Sequence, residues 1–88
     1  MRLVILYRPN SEHRNLIEDF IRDYRNRNAS STIEIIDIDS REGIAMGTLY
    51  DVVSYPAILV TTNDGTVQKI WQGVELPLMD EVASYVNA

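Results

Sequence analysis

Cysteine is absent from this 88-residue chain, histidine and tryptophan occur once each, and four glycines and three prolines are all that punctuate it. Each scarcity removes a class of chemistry. Thiol exchange proceeds by attack of a thiolate on a disulfide sulfur, so a chain without cysteine performs none and is held by no disulfide. A single histidine with no thiolate leaves too few ligands for a structural zinc site. Nothing glycine-rich is present to cradle a phosphate. No apolar stretch approaches the roughly 18 residues of a membrane span. The start, Met1 to Tyr7, places a basic residue before an apolar run that is too short for the core of a secretory signal. The expectation is a cytoplasmic protein.

What is present suits one small domain over residues 1–88. With 45% hydrophobic residues the chain can build an adequate but modest core, so helix and strand packing must carry its stability. Thirteen acidic against eight basic residues give a net charge of -5, which on average repels phosphate backbones and anionic lipid heads. Nucleic acid and membranes are therefore not expected as partners.

Breaks at Pro9-Asn10, Asn26 to Ser31, Asn63-Asp64-Gly65 and Gly73 to Pro77 divide the chain into seven elements. Leu3 to Tyr7 is a continuous apolar run of strand length, as in a strand covered on both faces. Ser11 can cap a following helix, in which Leu16, Ile17, Phe20, Ile21 and Tyr24 form one apolar stripe and the other face is charged. Glu18 to Arg22 and Asp23 to Arg27 are spaced for helical ion pairs. Ile33 to Ile38, rich in isoleucine, reads as a second buried strand, parallel to the first through a right-handed crossover. Ser40 can cap a helix from about Arg41 to Asp51, weakened by Gly43 and Gly47 and dependent on packing through Ile44, Met46 or Leu49. Ala57 to Thr61 and Val67 to Trp71 flank a turn at Asn63-Asp64-Gly65 and pair antiparallel. Pro77 suits the first turn of a last helix, with Leu78, Val82, Tyr85 and Val86 on one face.

The order strand, helix, strand, helix, strand, strand, helix resembles the thioredoxin superfamily over essentially the whole chain. Tyr50-Asp51-Val52-Val53-Ser54-Tyr55-Pro56-Ala57-Ile58-Leu59-Val60 is similar to the family's stretch running through its cis-proline into the third strand. Asp64-Gly65 and Trp71-Gln72-Gly73 resemble its hairpin turn and the glycine ending its last strand. Arg14 stands where the family's second cysteine would fall, 42 positions before Pro56, a separation similar to that of small thioredoxins. The resemblance implies an α/β, thioredoxin-like fold with a four-stranded mixed sheet and helices on both faces. It also implies a cis Tyr55–Pro56 bond beside a shallow groove for an extended segment. Ser11-Glu12-His13-Arg14 replaces the family's Cys-x-x-Cys, which removes its redox chemistry.

The candidate site follows from these readings. Arg8, His13 and Arg14 cluster at a helix start, where unpaired amides and the macrodipole favour an anion such as a carboxylate. Tyr55 and Pro56 would supply backbone pairing to a protein or peptide segment. Trp71, two positions before Gly73, would add apolar contact near Tyr55. Ser11 and His13 carry the alternative, a glutathione-related or other non-thiol enzyme. They are two apart, however, so no Ser-His pair is built locally. Asp37, Asp39 and Glu42 are the acids from which a mixed metal site would be assembled, but acids there more often complement a helix start. No cofactor or metal is expected.

Overall fold

The computed structural model describes residues 1–28 and 32–86. Its centre is the apolar run at the start of the chain. Leu3, Val4, Ile5 and Leu6 are fully buried in β1 (Arg2–Tyr7), with strands on both sides and helices on both faces. On one side lies β2 (Ile33–Asp37), parallel to it, with Ile5 opposite Ile35; it is an edge strand, so only Ile36 is buried, where a strand buried throughout was expected. On the other lies β3 (Ala57–Thr61), antiparallel, followed by β4 (Val67–Gln72), antiparallel again. The sheet order is β2-β1-β3-β4, with a register irregularity between Val60 and Thr61 where β4 begins. The break expected at Asn26 to Ser31 lies partly outside the described residues.

Strand alternation divides the interior into two layers. On one face Leu3, Ile5, Tyr7, Ile58 and Val60 meet Ile17, Phe20, Ile21 and Tyr24 of α1 (Arg14–Arg27) and Val82 of α3 (Met79–Val86). On the other, Val4, Leu6, Ile36, Ala57 and Leu59 gather with Val52 beneath Met46, Tyr50 and Tyr55. Each large apolar side chain buried in this way is worth about 1.5–3 kcal/mol, against at most about 1 kcal/mol for an exposed ion pair, so the stripe and not the charged face seats α1. The ion pairs themselves are partly rearranged from the spacing rule. Asp23 does pair with Arg27 at 3.2 Å, but Glu18 pairs with Arg14 at 2.9 Å, leaving Arg22 to Asp19 at 2.5 Å.

Helix α2 (Arg41–Leu49) is capped as expected, with the Ser40 hydroxyl accepting from the Gly43 amide at 3.0 Å. Its buried face is otherwise than expected. Gly43 and Gly47 turn inward, while Ile44 and Leu49 are 60% and 71% exposed. Of the three apolar residues proposed to anchor it, Met46 packs on the sheet. A Cβ at Gly43 would lie 2.1 Å from the Asp37 carbonyl oxygen, so glycine is what lets this helix rest on backbone. The helix ends through Asp51, whose φ of 54° is left-handed, with the Val52 amide returning to the Gly47 carbonyl at 2.9 Å. The last helix starts at Met79 and not at Pro77, and Leu78, 76% exposed, lies outside its apolar face.

Candidate functional site

Between β1 and α1 the chain makes a turn in which every polar group of interest already has a local role. The Ser11 hydroxyl donates to the Arg8 carbonyl at 2.6 Å and accepts from the His13 amide at 3.2 Å. Ser11 therefore closes the turn and is not the cap of α1. The cap position is His13, whose side chain makes no capping bond. The His13 ring lies 3.7 Å from the Glu12 carboxylate, on the surface side.

The two arginines of the proposed anion cluster each hold an internal carboxylate. Arg8 grips Asp39 with two bonds, Nε at 2.8 Å and a terminal nitrogen at 3.1 Å, and so ties the β1–α1 turn to the β2–α2 turn. That hydrogen bond holds the Asp39 carboxyl below the usual carboxylate range and raises the Arg8 guanidinium. Arg14 turns along α1 to Glu18, whose hydrogen bond raises its guanidinium likewise. An incoming anion at this helix start would compete with both carboxylates.

The loop leading into β3 is differently built. The Tyr55–Pro56 peptide bond is cis. Pro56 is fully buried, and its carbonyl accepts from the Gly73 amide at 3.0 Å. Gln72, the last residue of β4, reaches across with its side-chain oxygen to accept from Val53 at 2.9 Å and Ser54 at 3.1 Å. From the other side the Tyr50 hydroxyl donates to the Gly65 carbonyl in the β3–β4 turn at 2.8 Å. These bonds fix the loop at both ends and leave its middle open. Among the described residues the N–H and C=O of Tyr55 make no hydrogen bond, and Val53 beside it is 84% exposed.

Neither a family model nor a curated protein matches the chain. Among solved structures it is similar to thioredoxin 1 from the thermophilic eubacterium Thermosipho africanus, with a TM-score of 0.68 covering 99% of this chain and 91% of that one at 15% sequence identity. The fold is thioredoxin-like. With so few shared residues, the likeness is one of backbone path.

Within this thioredoxin-like sheet the remaining site residues are not all brought together. Trp71 lies opposite Ile58 on β4 and packs into the layer of α1 and α3, edge-on to Tyr85 with ring centroids 5.6 Å apart. Tyr55 packs into the other layer, beneath α2. The sheet separates the two aromatics, so they form no common patch. Tyr55 and Pro56 are adjacent by sequence, and Arg8, Ser11 and His13 are bound into one turn. Among the described residues no group of three metal-ligating side chains converges, and Asp39 is already held by Arg8.

Three contributors to this region were not singled out as site residues by sequence. Gln72 had no signal, since a polar residue at the end of an edge strand is ordinary. Tyr50 had none either, because its partner in the β3–β4 turn is 15 positions away. Gly47 was visible only as a helix weakness. Its role is to make room for the Tyr55 hydroxyl, which would lie 2.7 Å from a Cβ there.

Proposed function

We propose that this chain is a binding module without redox chemistry that takes an extended protein segment beside Tyr55 and Pro56. The observation that carries the reading is the unpaired backbone of Tyr55 in a loop otherwise held by Gln72, Gly73 and Tyr50. A buried or paired loop would need no clamp that leaves the backbone of one residue open, whereas strand-like addition of a segment needs that donor and acceptor. Leu49 and Val53, both well exposed at either side of the bend, add apolar contact area. Arg8, His13 and Arg14 contribute to an acidic partner only by exchanging their present carboxylates, so backbone pairing is the leading interaction. Trp71 supports the site from the opposite layer and does not touch the segment.

The enzymatic alternative draws less support. The Ser11 hydroxyl already donates its proton to a backbone carbonyl, and among the described residues no side-chain base is hydrogen-bonded to it. A cytoplasmic setting belongs to the same proposal.

The experiment is an amide-resolved NMR titration with unstructured peptides of varied sequence, in the parent and in Val53→Lys. Val53 is so exposed that this change leaves the fold intact, whereas replacing Tyr55 would disturb its seat over Gly47. Shifts centred on Ser54, Tyr55 and Ala57 that weaken in Val53→Lys are expected. Peptides that move none of these amides at millimolar concentration overturn the reading.

A further inference from the structure

The two edges of the sheet are protected unequally. β4 carries a register irregularity where it begins and a lysine, Lys69, both of which discourage pairing with another strand. β2 has neither. Its five residues, Ile33 to Asp37, run in unbroken register with β1, contain no proline or lysine, and present Ile35 at 43% exposure. Glu34, the one charge in the middle of the strand, is held by Arg2 of the same chain.

Beside this edge lies a groove of about 440 Å³ between α1 and the sheet, floored by Tyr7, Ile21 and Ile35 and rimmed by Glu18, Arg22 and Arg25. Arg22 is paired with Asp19, and Glu18 with Arg14. Among the described residues Arg25 has no carboxylate within ion-pair distance.

We propose that β2 pairs antiparallel with β2 of a second copy of this chain, joining two sheets into one across a two-fold axis at Ile35. The register argues for this occupant. Leu3, Ile5 and Tyr7 face α1, so their β2 partners Ile33, Ile35 and Asp37 face the same side. Antiparallel pairing centred on Ile35 sets Ile35 against the partner's Ile35, extending the apolar floor of the groove. It also sets Ile33 against the partner's Asp37.

The C-terminal end of α1, where Arg25 lies, is the end nearer Ile33, because α1 returns from the end of β1 to the start of β2. The partner's Asp37 thus arrives beside the arginine that lacks an acid, and symmetry repeats the contact. On the other face Glu34 meets the partner's Ile36, so no like charges are opposed.

Sedimentation of the whole chain over about 1 μM to 1 mM tests this, a range that spans weak to moderate homodimers. A reversible monomer–dimer equilibrium is expected. Ile35→Lys, which places two ammonium groups together on the axis, should leave monomer throughout. Arg25→Glu should weaken the dimer by about tenfold or more, and Arg25→Glu with Asp37→Arg should recover most of the loss. Circular dichroism verifies that each variant is folded. Should the double variant not fold, Ile35→Lys and Arg25→Glu decide alone. Val53→Lys, at the separate Tyr55 loop, should not change the equilibrium. Monomer at every concentration overturns the proposal, and so does a dimer that Ile35→Lys leaves intact.

Discussion

The Tyr55 hydroxyl stands over Gly47, so near that a Cβ on Gly47 would lie 2.7 Å from it. One helix turn earlier, a Cβ on Gly43 would lie 2.1 Å from a backbone carbonyl. These two glycines should answer differently to the same substitution. At Gly43 the obstacle is backbone, and Gly43→Ala should destabilise by about 1–3 kcal/mol as α2 is pushed off the sheet. At Gly47 the obstacle is the end of a rotatable side chain, and alanine's helix preference returns up to about 1 kcal/mol. Gly47→Ala should stay near the parent in stability while moving the Tyr55 ring signals. Denaturant melts read the first effect, and aromatic NMR shifts the second.

Asp39 and Asp64 are both held below the ordinary carboxylate range, Asp39 chiefly by its hydrogen bond from Arg8 and Asp64 chiefly by the Thr62 hydroxyl, with help from the Thr66 amide. A carboxyl with a depressed folded value adds stability that is full above its unfolded value, about 3.9, and is lost as the pH falls through the folded value. Stability should therefore fall below about pH 4, where these two carboxylates protonate. Arg8→Ala should return Asp39 towards the ordinary range and leave Asp64 where it is. Carboxyl carbon shifts followed against pH measure both.

Among the described residues, the Tyr24 hydroxyl, the Thr61 hydroxyl and the Trp71 indole nitrogen are buried with no hydrogen-bond partner. Removing a buried polar group that pairs with nothing removes a desolvation cost and no bond. Tyr24→Phe and Thr61→Val should each raise stability, by about 1 kcal/mol, and their effects should add because one lies on α1 and the other ends β3. Thermal melts of the two single variants and the double variant decide it. A loss of stability in both single variants would show that the hydroxyls do find partners.

Gln72→Ala should loosen the bend before Pro56 without unfolding the protein. The two amides it releases, Val53 and Ser54, are solvent-exposed and can turn to water, so the cost in global stability should stay below about 1.5 kcal/mol. Hydrogen exchange should accelerate at those two amides and remain slow in β1 and β3.

Much of the architecture was legible because its signals are periodic. The apolar run of β1 and most of the stripe on α1 state which faces are buried; the exception is Leu16, at the start of the stripe, which stays exposed. The site was less legible because its bonds join distant residues. Nothing near Arg8 announces Asp39, 31 positions later, so a cation that looked available is engaged. Glu18 had an arginine four residues away on either side, and spacing alone did not choose between them. Ser11 precedes a helix in a way that suits a cap or a turn, and its partner, the Arg8 carbonyl, is not visible in side-chain order. Trp71 shares a face with Gly73, but only its pairing with Ile58 says which layer that face belongs to.

The edge-to-face contact of Trp71 with Tyr85 gives the molecule a built-in optical gauge. With one indole in the whole chain, all tryptophan emission originates against α3, which makes it a label-free record of whether the final helix is seated. Undocking of that helix would register as a red shift, while events under α2 would pass without colour.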